Sequence, residues 1–179
     1  MLHYCSQCFL YTLPILLSGI LFIIVLKKNY FKILNNPIDF NKNIFGKNKT
    51  FRGFILMPVF CLIVTSILYF LVGEANELYK IGNLHKSLIL GFSYSLGELP
   101  NSFIKRRCSI PPGKKAEKNP KKTIFLVLDN IDSIVSCCFC LVLFYQIDLT
   151  YLIGILILGS AIHLSTDFLL FKIGIKPQP

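Results

Sequence analysis

The chain has 179 residues, 54% of them hydrophobic and only 16% charged, with a mean hydropathy of +0.62. That length holds one compact domain and that composition excludes an ordinary soluble one. The net charge of +10 does not imply nucleic acid, because the basic residues fall in two loops between apolar blocks and not on an amphipathic face or among stacking aromatics; anionic lipid is the expected neighbour.

A hydrocarbon core of roughly 30 Å takes about 20 helical residues, and the apolar blocks have that length. The first, residues 9–26, has no Lys or Arg before it and Lys27 and Lys28 after it, the reverse of a cleavable signal peptide, so it is expected to remain as a span. Further spans are predicted at 54–72, 87–103, 123–145 and 149–171. The fold class is therefore an all-α integral membrane protein of about five transmembrane helices in a single domain, 1–179. Between the spans, Pro37, Gly46, Gly53, Pro111, Pro112, Gly113 and Pro120 make the two long connections rich in turns.

Orientation follows from the basic residues, since cytoplasmic segments carry the excess. Residues 27–53 hold seven Lys and Arg, residues 105–122 hold eight, and the tail holds Lys172 and Lys176, so that 17 of the 19 fall on alternating segments. The N-terminus is expected outside, the C-terminus and both basic loops inside, in a multi-pass protein of the cytoplasmic membrane. Seven cysteines imply no disulfide framework: Cys61, Cys137, Cys138 and Cys140 lie in apolar blocks, and Cys5-x-x-Cys8 has no second pair or His at zinc spacing.

Glu98, Asp129, Asp132, His163 and Asp167 lie within or at the ends of apolar blocks, where a charge costs several kcal/mol and marks function. Glu98 precedes Lys105 by seven residues and Asp129 follows Lys122 by seven, each about 10 Å of helix. His163 and Asp167 fall at about 13 and 8 Å on the same scale. Three helices thus bring ionisable groups to one level. Asp129 and Asp132 share a helix face, and two carboxylates there repel unless a cation lies between them; oxygen ligands favour magnesium, which shares its shell with water and substrate phosphates. Acids below and loop cations above describe a pocket for a polyphosphate meeting a membrane lipid. The plainer alternatives are capping or snorkelling for the aspartates, pairing with a lysine for Glu98, and packing for His163. Gly46-Lys47-Asn48-Lys49-Thr50 is not a Walker A loop, because no Gly stands at the earlier position and no strand precedes it.

Four stretches occur in order: Pro37-Ile38-Asp39, Gly46-Lys47-Asn48-Lys49-Thr50-Phe51-Arg52-Gly53, Gly97-Glu98-Leu99-Pro100-Asn101-Ser102-Phe103-Ile104-Lys105-Arg106-Arg107 and Leu128-Asp129-Asn130-Ile131-Asp132. Together with His163-Leu164-Ser165-Thr166-Asp167 and the tail from Lys172 to Pro177, they resemble the CDP-archaeol synthase family, within the wider group of membrane cytidylyltransferases that includes CDP-diacylglycerol synthase. The resemblance covers roughly residues 37–177 and is most specific in Ser-x-x-Lys-Arg followed by Asp-x-x-Asp. It implies an enzyme that uses CTP and Mg²⁺ to convert a lipid phosphate, either phosphatidate or an archaeal-type ether lipid phosphate, into a CDP-activated lipid and pyrophosphate.

Residue by residue, the resemblance implies nucleotide and phosphate binding by Lys49, Thr50, Arg52, Ser102, Lys105 and Arg106. It implies catalysis by Asp129, Asp132, Lys105 and Glu98, metal binding by Asp129, Asp132 and Glu98, and auxiliary roles for Asp39, His163 and Asp167. Glu98 stands where the family usually has Asp, Asn101 where it often has Lys, Asn130 where Gln is common and Asp167 where Asn is common; the stretch from Lys114 to Lys122 is longer and more basic than usual. The competing functions are a small transporter and a catalytically inactive scaffold. The oligomeric state is left open, a homodimer being one state permitted.

Overall fold

The computed structural model describes residues 2–40, 42–114, 116 and 121–174. Lys115, Lys118 and Lys176, among the expected cytoplasmic cations, and residues 175–177 of the family-like tail lie outside these. Five long helices form the fold: α1 (Leu2–Lys27), α2 (Phe51–Val72), α3 (Ser87–Arg107), α4 (Lys121–Tyr145) and α5 (Leu149–Lys172). Each expected span is found within a helix, and α1 begins seven residues before the apolar block it contains. The basic connections carry no long helix among the described residues, only a turn of 3-10 helix at Lys32–Leu34.

Among the described residues, four helices, α1, α2, α4 and α5, are long and apolar enough to cross a membrane. Helix α3 has 21 residues, about 31 Å of rise, but carries Glu98 and the run Lys105 to Arg107. Its inward face mixes polar and apolar residues, with Ser87, Leu90, Ser95 and Asn101 buried, while Leu88, Phe92, Leu96 and Phe103 form an exposed row at helical spacing. Helix α2 shows the same exposed row at Ile55, Val59, Ile63, Ile67 and Phe70. A ring of large aliphatic and aromatic side chains around a core containing serines and threonines suits a bundle whose solvent is lipid. Two buried hydroxyls are satisfied within their own helices, Ser18 Oγ donating to Pro14 O at 2.6 Å and Thr65 Oγ1 to Cys61 O at 2.7 Å, and Ser95 Oγ of α3 donates to Gly53 O of α2 at 3.2 Å.

Helices adjacent in sequence pack against each other, and α5 closes the ring against α1. These two lie parallel: Tyr4 Oη donates to Thr150 O at 2.6 Å near their starts, and Lys27 Nζ donates to Gly174 O at 2.8 Å beyond their ends. Glycine sets the closest approaches along α3. A Cβ at Gly97 would lie 2.8 Å from Asp132 O, so α3 and α4 touch backbone to backbone beside the acidic pair. A Cβ at Gly91 would lie 2.6 Å from Pro58 Cα, which brings α2 equally close on the other side.

At the end of the bundle where α2 finishes and α3 begins, two 3-10 segments, Glu77–Tyr79 and Ile81–Lys86, fold back over the core. Leu78 and Tyr79 are wholly buried there, and Tyr79 Oη donates to Leu10 O at 2.7 Å.

Candidate active site

The opposite end of the bundle gathers most of the residues singled out by sequence. The loop before α2 is built on Asp39, whose Oδ2 accepts from the backbone N–H groups of Ile44, Phe45 and Gly46 at 2.8, 3.0 and 3.2 Å. One carboxylate thus orders the turn that leads into Lys47, Lys49 and Thr50. A short antiparallel bridge joins Pro37 to Thr50, with Ile38 N donating to Lys49 O at 2.9 Å. Thr50 is the N-cap of α2 in extended conformation, yet its side chain forms no capping bond. Two first-turn amides of α2 are taken by backbone carbonyls instead, Phe51 N by Asn36 O and Gly53 N by Thr50 O, each at 3.1 Å, and the helix dipole still places positive potential at this point.

A cavity of about 540 Å³ opens here. Lys47, Lys49, Thr50 and Arg52 line it from the loop and α2, Tyr94, Ser95 and Glu98 from α3, and Phe22 and Leu26 from α1. Its size lies within the range of small-molecule sites. Three cations and a helix N-terminus face one acid. Lys49 Nζ forms an ion pair with Glu98 Oε2. Arg52 is buried at 7% exposure, donates from Nη1 to Tyr30 O at 3.0 Å, and leaves Nε without an acceptor among the described residues.

One turn beyond Glu98, α3 meets the paired aspartates of α4. Asn101 Nδ2 donates to Asp129 Oδ1 at 2.6 Å and to Asp132 Oδ2 at 2.9 Å. Lys105 Nζ donates to both oxygens of Asp129, at 2.5 and 2.6 Å. Ser133 donates to Asp132 Oδ1 from its backbone N at 2.6 Å and from Oγ at 3.0 Å. The i, i+3, i+7 spacing of Glu98, Asn101 and Lys105 lays them along one face of α3, against the i, i+3 pair on α4. Arg106 lies against the loops, its Cδ 3.4 Å from a Cβ built on Gly46, with Nε and Nη1 buried and lacking acceptors among the described residues. A buried, unpartnered guanidinium suits an anion.

The structure brings together Asp129, Asp132 and Lys105, and separately Lys49, Thr50, Arg52 and Glu98. Glu98 pairs with Lys49 on the cavity wall, and among the described residues no three His, Cys, Asp or Glu side chains form a ready ligand group. Ser102 is half-buried and takes no part in these hydrogen bonds. His163 reaches Tyr94 and Asn130 instead of a carboxylate: its Nε2 lies 3.4 Å from Tyr94 Oη and its Nδ1 3.4 Å from Asn130 Oδ1. Asp167 lies one turn further along α5. Sequence reasoning passed over Lys47, Tyr94 and Ser95 as cavity residues. The signal for Lys47 was its place two residues before Lys49; Tyr94 and Ser95 lie one turn before Glu98 on the inward face of a helix whose outward face is an apolar row.

The family model described as CarS-like, CDP-archaeol synthase, matches residues 1–179. A CDP-archaeol synthase of Pyrobaculum islandicum is 32% identical over 157 residues, covering 84% of this chain and 85% of that one. Those of Pyrobaculum aerophilum and Pyrococcus furiosus are 27% identical over 150 residues and 29% over 153, covering 80% of this chain in each case and 82% and 83% of theirs. No solved structure matches.

Proposed function

This chain belongs to the CDP-archaeol synthase family, and from that premise we propose that it transfers CMP from CTP to an isoprenoid-ether glyceryl phosphate in the membrane, giving a CDP-activated lipid and pyrophosphate. The observation that carries this reading is the cationic cavity at the N-terminus of α2, which shares Glu98 with the helix face that meets Asp129 and Asp132.

In this reading the triphosphate lies against Lys47, Lys49, Thr50 and Arg52 at the N-terminus of α2, where positive charge is concentrated and partly desolvated. Arg106, with two buried N–H groups lacking acceptors, takes a further phosphate oxygen. Asp129 and Asp132 hold a magnesium ion, which when bound neutralises phosphate charge at the reacting centre. The donor set fits such an ion, because magnesium takes one or two carboxylates and completes its shell with water and phosphate. Lys105 is placed to pass from Asp129 to a phosphate oxygen. The lipid phosphate is already an anionic nucleophile at neutral pH, so alignment and charge neutralisation supply most of the rate and no covalent enzyme intermediate is required. Helix α3 is the fifth membrane crossing, supported by its outward apolar row, with both basic connections on the cytoplasmic face.

The test is folded, purified protein in detergent or vesicles with CTP and Mg²⁺, supplied with either the isoprenoid-ether phosphate or phosphatidate. CDP-lipid and pyrophosphate in equal amounts are expected with the ether lipid. No product with either lipid would sink the enzymatic reading, and turnover of phosphatidate alone would replace the substrate.

A further inference from the structure

Asn101 is 6% exposed, and its amide is satisfied on one side only. Nδ2 donates to Asp129 and Asp132, while Oδ1 of the same group is buried without a donor among the described residues. A buried polar atom without a partner is uncommon enough to need a cause. Facing two carboxylates, an amide presents its N–H groups. Facing a cation shared by those carboxylates, its hydrogens would meet like charge and its oxygen lone pairs a hard acceptor. Half a turn about the Cβ–Cγ bond exchanges the two atoms without moving the backbone. The direct contact of α3 with α4 at Gly97 keeps the amide beside the acids through that turn.

We propose that Asn101 is the third protein oxygen of the divalent-cation site, its amide turning so that Oδ1 joins the carboxylates of Asp129 and Asp132. The inference rests on the magnesium reading of the aspartate pair. It makes the residue an exchanging contact, donor to the acids in one state and ligand beside them in the other. The oxygen that has no donor among the described residues gains the cation as its partner in the bound state.

The experiment titrates Mn²⁺ into the folded full-length chain in detergent, with and without a non-hydrolysable CTP analogue and without lipid, and reads binding by electron paramagnetic resonance with Mg²⁺ as competitor. Asn101→Leu should weaken Mn²⁺ binding by at least about tenfold, the scale that even outer partners of a metal carry. It should also add one water to the bound ion, counted by electron–nuclear double resonance. Asn101→Asp should tighten binding, because a charged oxygen replaces a neutral one. If the amide only competes with the cation through its N–H groups, Asn101→Leu binds as tightly as the native chain or more so, and the proposal fails. Should the leucine variant not fold, Asn101→Asp decides: binding no tighter than native overturns it. Undiminished binding in both Asp129→Asn and Asp132→Asn would instead remove the metal reading of the pair, and no saturable binding by the native chain would remove both.

Discussion

The two ends of the bundle differ in how many buried polar groups they leave without a partner among the described residues. At one end, Leu78 and Tyr79 fold into the core and Tyr79 Oη is answered by Leu10 O, while Tyr145 Oη is buried without a partner among the described residues. At the other end, Arg52 Nε, Arg106 Nε and Nη1, and Asn101 Oδ1 are buried without partners among the described residues. Satisfied polar groups stabilise a fold; unsatisfied ones cost it free energy and wait for something to bind. The open end concentrates them, with three guanidinium nitrogens and one amide oxygen against a single hydroxyl at the closed end.

The largest expected effect that sharpens this contrast is Asp132→Asn. Turnover should fall by about a thousandfold or more, since several kcal/mol of charge stabilisation is lost, while membrane insertion is unchanged. Near-normal kcat in that variant would remove the aspartate from the site. Lys49→Met should raise the KM for CTP about tenfold to a hundredfold, the worth of one charge-assisted hydrogen bond. Combining it with Glu98→Gln separates two roles for Glu98: an effect that vanishes in the Lys49→Met background marks a partner of that lysine, and one that persists marks a separate role at the metal. Gly97→Val should cost about 1–3 kcal/mol by overpacking α3 against α4, read as a lower thermal midpoint together with reduced kcat. At the closed end, Tyr79→Phe should cost only about 1 kcal/mol and leave kcat unchanged; a kcat loss there would couple the two ends.

Much of this was legible in the sequence because lipid enforces simple rules. Apolar length gave the helices, and counting residues from Lys105 and Lys122 brought Glu98, Asp129 and Asp132 to one end of the molecule, where the structure also has them. Counting could not say which side chains touch. Glu98 and Asp129 have equivalent depth, but only the loop ordered by Asp39 determines that Lys49 reaches Glu98. Tyr79 was invisible for a different reason: residues 73–86 are short and polar enough to look like a plain connection, and their burial depends on a groove formed by helices distant in sequence. Asn101 looked like a simple departure from a family pattern, and its significance emerges only when one atom of its amide is seen to be paired and the other not.

The cysteines, treated above only as small apolar fillers, also divide between the ends. Cys8, Cys61, Cys137, Cys138 and Cys140 are buried, whereas Cys5 is exposed near the start of α1 and Cys108 is partly exposed just after α3. Since α1 and α3 run toward the same end, these two thiols mark opposite faces of the bundle. In sealed vesicles of known orientation, a membrane-impermeant maleimide should label one of them from outside and the other only after lysis, so the native chain already carries a reporter for its own sidedness.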